Sequence, residues 1–132
     1  MKYAPLPEEL EKLIHEVIGA AIEVHKVLGP GHLEAHYGNA LAIELELRNI
    51  RYRREAAVAL DYKGHIVGEG KLDFLIEDKL VVELKAVQAI NDVHMAQTIS
   101  YLRMRDSRAG LILNFHVAAM NSKEAIRRVI VG

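Results

Sequence analysis

Apolar residues recur at three- and four-residue spacing through Leu10, Leu13, Ile14, Val17, Ala21, Val24 and Leu28. That stripe predicts an amphipathic helix over residues 8–28. Pro5 and Pro7 precede it, Glu8, Glu9 and Glu11 suit its positive end, and Gly29-Pro30-Gly31 stops it. A second stripe, Leu33, Tyr37, Leu41, Leu45 and Arg48, predicts a helix over about residues 32–49, with Ile43 and Leu47 widening its apolar side. At about 100° per residue Glu34 projects only about 20° from Leu41, which puts a carboxylate inside the buried stripe.

The period then shortens. Residues 56–62 read as a strand, Lys63-Gly64 as a hairpin turn, and residues 65–67 as the start of the return strand. Gly68 and Gly70 predict a bulge or a close backbone approach. Residues 70–86 form two strands joined at Glu77-Asp78-Lys79. In the second, an apolar run from Leu80 to Ala86 is interrupted only by Glu83 and Lys85, the pattern of a central strand covered on both faces. Asn91 or Asp92 caps a helix over residues 92–105, whose stripe is Val93, Gln97, Tyr101 and Met104. That helix is a crossover to an apolar strand at residues 109–115, placed beside residues 80–86. Residues 122–131 fit either a short helix capped by Ser122 or an extended strand. This order of elements predicts an α/β fold with a mixed central β-sheet flanked by helices.

At 132 residues the chain suits a single domain over residues 1–132, able to bury a core without disulfides or structural metal. With no cysteine, thiolate metal sites and cysteine nucleophiles are excluded. Met1-Lys2-Tyr3-Ala4-Pro5 lacks the layout of a signal peptide, and no apolar run reaches the roughly 18 residues of a membrane span. The expected location is cytoplasmic, with no membrane partner. A formal charge of −1 gives no global pull toward nucleic acid, so such a role needs a local basic surface. Arg48, Arg51, Arg53 and Arg54 form one cluster, and Arg103, Arg105, Arg108, Lys123, Arg127 and Arg128 add others. Arginines near helix ends also serve the helix dipole, so a solvated face is an equal reading.

The candidate chemistry sits on the paired strands. Glu83 and Lys85 share a face, and Asp73 approaches Glu83 if the strands lie side by side. Two carboxylates suffice for a magnesium ion that keeps several waters, and a neighbouring lysine can orient water or stabilise developing charge. An isolated Glu-x-Lys is more often a cross-strand salt bridge. Here the apolar strand around it, Glu34 on a helix stripe, and Gln97 with Tyr101 on another weigh against that reading.

Gly31-His32-Leu33-Glu34-Ala35-His36-Tyr37 carries a Gly-x-x-Glu-x-x-Tyr signature. Ala20-Ala21-Ile22-Glu23-Val24-His25-Lys26, Val82-Glu83-Leu84-Lys85-Ala86-Val87 and Gly110-Leu111-Ile112-Leu113-Asn114-Phe115 extend the likeness over most of the chain. In these segments the chain resembles the GxxExxY protein family, which looks like a compact branch of the PD-(D/E)xK nuclease superfamily. The resemblance implies a restriction-endonuclease-like core and a metal-dependent nuclease using Mg2+ or Mn2+. Asp73, Glu83 and Lys85 would take the acid, acid and lysine positions, with the Leu84 carbonyl helping to hold metal and Glu34 completing the site. Gln97-Thr98-Ile99-Ser100-Tyr101 resembles the Gln-x-x-x-Tyr motif of RecB-type members, which implies that Gln97 supports the active site and Tyr101 the substrate side. The proline that often precedes the first acid is absent; Lys71-Leu72 stands there.

His32 and His36 are four apart and could share a helix face as metal ligands, but no third ligand accompanies them at a recognisable spacing. His36 is kept as a possible phosphate contact beside Arg51, Arg53 and Arg54, and His25 is expected to pack near the end of the first helix. No serine stands on a nucleophile elbow. The expected partner is nucleic acid, DNA ahead of RNA, with a homodimer or larger complex open. The rival reading is a catalytically silent module that keeps the fold for binding or assembly.

Overall fold

A computed structural model describes residues 4–132; Met1, Lys2 and Tyr3, which entered the leader reading, lie outside them. The elements in order are α1 (Glu8–Leu28), α2 (Glu34–Leu47), β1 (Tyr52–Tyr62), β2 (His65–Ile76), β3 (Leu80–Lys85), α3 (Asp92–Arg105), β4 (Ala109–Asn114) and β5 (Ile126–Ile130). The strands form one sheet in the order β1-β2-β3-β4-β5. All neighbours are antiparallel except β3 and β4, which run parallel with α3 as the crossover. The fold is α/β, a mixed sheet between helical layers. Residues 126–130 are a strand on β4, which resolves the ambiguous tail.

Two apolar clusters hold the layers. On one face, Ile14, Val17 and Val24 of α1 and Tyr37, Leu41 and Leu45 of α2 pack on Phe74, Ile76, Leu80, Val82, Leu111 and Leu113. On the other, Leu102 of α3 joins Val58, Leu72, Leu75, Val81 and Ile112. Each fully buried Leu, Ile or Phe contributes about 1.5–3 kcal/mol relative to exposure. Because β3 and β4 are covered on both faces, their runs are apolar apart from Glu83, Lys85 and Asn114, as expected of a parallel pair.

The turns follow their residues. Lys63 and Gly64 have φ of 51° and 86°, and Glu77 and Asp78 have φ of 51° and 58°, so both hairpins turn through paired left-handed residues. Such turns match the twist of the strands they join. Asn91 caps α3 reciprocally with His94: the His94 N–H donates to Asn91 Oδ1 at 2.9 Å, and the Asn91 N–H donates to His94 Nδ1 at 3.2 Å.

Two expectations need correction. Helix α2 is shorter than predicted, and Ile43, Leu47 and Leu33 are exposed rather than part of its buried side. Its buried face is Tyr37, Gly38, Leu41, Ala42 and Leu45, a narrower stripe between α1 and the sheet. On α3 the buried residues are Thr98 and Leu102, whereas Val93 and Gln97 are exposed. The small Thr98 allows close approach to the sheet, and a count of large apolar residues overlooks it. The bulge expected near Gly68 is present: Leu60 pairs with Gly68 and Asp61 with Ile66, which leaves Val67 of β2 over. Among the described residues, no helix is long and apolar enough to cross a membrane.

Candidate active site

Backbone pairing between β2 and β3 ends at Phe74 and Val82. One residue further the main chains have parted, and side chains take over the ladder. The Asp73 N–H donates to Glu83 Oε2 at 2.9 Å, and the Leu84 N–H donates to Asp73 Oδ2 at 2.8 Å. Each acid thus closes the backbone of the opposite strand.

Strand β1 is irregular at the same level. Glu55, with φ 51°, lies between the Arg54–Phe74 and Ala56–Leu72 pairs. Leu72 and Phe74 would share a face in a regular strand, yet they belong to opposite cores. The ribbon therefore changes faces at Asp73. Beyond the change, Gly70 meets Tyr101 of α3: a Cβ on Gly70 would sit 2.6 Å from Tyr101 Cε1. That is the close approach the sequence suggested for Gly70, whereas Gly68 faces open space.

The electrostatics of this fork are unusual. Glu83 is only 4% exposed. Burial, and then the adjacent Asp73 carboxylate, push its carboxyl up to about 8 from 4.5, with Lys85 opposing. Burial and Asp73 likewise raise Glu34, with Lys85 again opposing. Burial raises Tyr101, and the charges of Glu83 and Asp73 add to it, against a backbone hydrogen bond from Lys71. Burial lowers His94, helped by the Lys85 charge. Glu34, Asp73, Glu83, Lys85 and Tyr101 therefore form one electrostatic neighbourhood, with three acids and a single lysine.

Glu34 reaches it differently from the expectation. It is exposed, not buried in the α2 stripe, because it is the first residue of the helix and extends past the end of the core. An angular count around a helix carries no information about that axial position. The Gly-x-x-Glu-x-x-Tyr segment accounts for how Glu34 is presented. Gly31 turns the chain at φ 98°, and the Tyr37 hydroxyl donates to Gly29 O at 2.7 Å while accepting the His32 N–H at 3.1 Å. Tyr37 also stacks on Phe115, with centroids 4.5 Å apart. The tyrosine clamps the loop that delivers the glutamate.

Gln97 is exposed, and no hydrogen bond joins it to Lys85 among the described residues. Asn114 stands beside Lys85 in the β3–β4 register. It is fully buried, accepts the N–H groups of Val87 and His116, and donates to Val87 O and Glu124 O.

His32 and His36 pack edge to face, 6.2 Å between centroids, and His32 bonds Leu28 O at 2.9 Å. His25 is buried against Val117 O at 2.8 Å, near the end of α1 as expected. Arg51 is paired with Glu77 and Arg53 with Asp78, while Arg54 bonds the neutral Asn39. Among the described residues, no three His, Asp or Glu side chains form a ready metal-holding group. The donor set centres on Asp73 and Glu83. Two carboxylates crowded into a site of excess negative charge suit a hard divalent ion that keeps much of its own water.

A mixed sheet between helix layers, with acid, acid and lysine where two strands part, defines a restriction-endonuclease-like α/β core. The family model described as the PD-(D/E)XK nuclease superfamily matches residues 11–129, and the chain belongs to that superfamily. A search of curated proteins gave no match.

Proposed function

We propose that the protein is a metal-dependent nuclease hydrolysing phosphodiester bonds of nucleic acid, DNA ahead of RNA. The observation that carries this reading is the fork itself, where Asp73 and Glu83 crosslink two parting backbones beside Lys85. In this reading Asp73, Glu83 and the Leu84 carbonyl hold Mg2+ or Mn2+, with Glu34 contributing directly or through water. Such an ion, when bound, neutralises charge on the scissile phosphate. Lys85 orients the attacking water or stabilises the transition state. Tyr101 braces the β2 ribbon through Gly70 and faces substrate, and Gln97 keeps a supporting role only if substrate draws it inward. The finer placement in the GxxExxY family is supported by the Gly31, Glu34 and Tyr37 arrangement. The protein acts as a single domain, alone, as a homodimer or within a larger complex.

The test is cleavage of a mixed panel of DNA and RNA oligonucleotides in Mg2+ or Mn2+. Lys85→Ala should lower the rate at least about 100-fold, the usual scale for one transition-state contact, with the melting temperature retained. Activity that survives Lys85→Ala would sink the reading. The alternative, a silent binding module, draws on the absence of a ready three-residue metal group among the described residues. It predicts oligonucleotide binding without turnover in either metal.

A further inference from the structure

We infer that Arg54 is a built phosphate subsite beside the fork, holding the backbone of the nucleic-acid strand next to the scissile position; this rests on the nuclease reading above. Of the four arginines between residues 48 and 54, three face carboxylates. Arg48 meets Glu44 and Glu16, Arg51 meets Glu77, and Arg53 meets Asp78. Arg54 meets none. It is exposed, and its Nη1 donates to the neutral Asn39 Oδ1 at 2.8 Å. Its charge is not cancelled by a neighbour.

That charge is also held in place. The Arg54 guanidinium carbon lies 5.3 Å from the centroid of the Phe74 ring, one residue along β2 from Asp73. Its other terminal nitrogen fills the space over Gly38, where a Cβ would stand 2.7 Å away. Gly38 is buried in the middle of α2, where glycine is otherwise a poor choice, and the arginine supplies the reason for it. Gly38 lies one turn after Glu34, on the same helix face and about 6 Å along its axis. The same Cβ position is 3.5 Å from Leu84 Cδ1, the residue whose N–H bonds Asp73. An unpaired, immobilised guanidinium with donors to spare, this close to the acids, fits a phosphate diester carrying one negative charge.

The experiment measures equilibrium binding of fluorescent DNA and RNA oligonucleotides to the full chain in Ca2+, across a salt series. Arg54→Gln should weaken binding about tenfold and reduce the salt slope by about one phosphate contact. Gly38→Ala should weaken it comparably, with an unchanged or higher melting temperature, because the new methyl displaces the guanidinium without removing its charge. Arg53→Gln, which removes an already paired charge, should lose less than either. Binding by Arg54→Gln or Gly38→Ala equal to wild type, or an equal loss in Arg53→Gln, would overturn the subsite. Arg54-dependent binding with no Lys85-dependent cleavage would leave the subsite standing and sink catalysis. Failure of the wild type to bind any oligonucleotide would sink both.

Discussion

The two ends of the β2–β3 hairpin each carry two acids, and the sheet treats them in opposite ways. At the turn, Glu77 accepts the Arg51 N–H at 2.8 Å and its guanidinium at 3.0 Å, while Asp78 is shared by Arg53 and Arg105. Backbone and arginine together hold the Glu77 carboxyl below its ordinary range. At the fork, Glu83 is buried against Asp73 and pushed up to about 8. The first pair is matched with arginines in solvent and closes a turn. In the second the fold supplies no arginine, and the buried Glu83 carboxyl keeps its proton up to about pH 8 instead; perturbed acids of this kind cluster at functional sites. Acid count alone does not distinguish them; the supply of counter-charge does.

The largest effect should come from neutralising the fork. Asp73→Asn combined with Glu83→Gln removes the repulsion and the desolvated charge, so the metal-free protein should gain roughly 1–3 kcal/mol at pH 8. The same variant should lose the rise in melting temperature that millimolar Mg2+ or Mn2+ gives the wild type. Thermal melts with and without metal check both, and a metal-dependent rise that survives the double substitution would remove these acids from the metal site. The pH dependence has a definite sign. Because the folded carboxyl of Glu83 titrates near 8 rather than 4.5, the folded state holds the proton more tightly than the unfolded chain. Its stabilising contribution is complete below about 4.5 and is lost as pH rises through about 8. Metal competes with that proton, so the metal-induced rise should grow over the same interval. Glu83→Gln should flatten both trends.

Much of this contrast was readable in the chain because strands report their faces through period two. Glu83 and Lys85 share a face by alternation, Asp73 joins them once the strands are paired side by side, and the Leu80–Lys85 strand, apolar but for those two residues, marks its own burial. The position of Glu34 was not readable, since helical periodicity gives an angle and not a height above the core. The α3 stripe through Val93 and Gln97 was misplaced for a related reason: the face that packs is chosen by Thr98 and Leu102, where a small side chain permits close contact. The change of faces at Glu55 and Asp73 leaves no periodic trace, because both strands switch together. Gly38 and Gly70 signalled only that something approaches the backbone; which side chain does so is a tertiary fact.

Gly70 gives a middle-sized test of how the fork is braced. A methyl there would press on Tyr101 Cε1 at 2.6 Å, whereas one at Gly68 meets nothing within 4 Å. Gly70→Ala should cost about 1–3 kcal/mol, the range for overpacking, unless the ring moves aside. Gly68→Ala should change stability by less than about 0.5 kcal/mol. Denaturant unfolding of the pair checks the difference. Any nuclease rate should fall with Gly70→Ala, since displacing Tyr101 disturbs the wall beside Glu83. Equal behaviour of the two variants would mean that Tyr101 is free to leave without consequence.

The smallest effect belongs to the turn. Glu77→Gln removes a carboxylate that is partly solvated and faces an Arg51 side chain 87% exposed. Solvent-exposed pairs contribute about 0–1 kcal/mol, and salt screens them further. Glutamine can still accept the Arg51 N–H, so the substitution should cost less than about 1 kcal/mol at pH 7, and less still at high salt. The sign with pH is opposite to that of Glu83. A lowered carboxyl contributes stability above its unfolded value of 4.5 and loses it as pH falls below that value. A melt series should therefore show wild type gaining on Glu77→Gln as pH rises from acid, and losing ground to Glu83→Gln as pH rises toward and through about 8. If both differences moved in the same direction with pH, the contrast between the arginine-matched end and the arginine-free end of this hairpin would be lost.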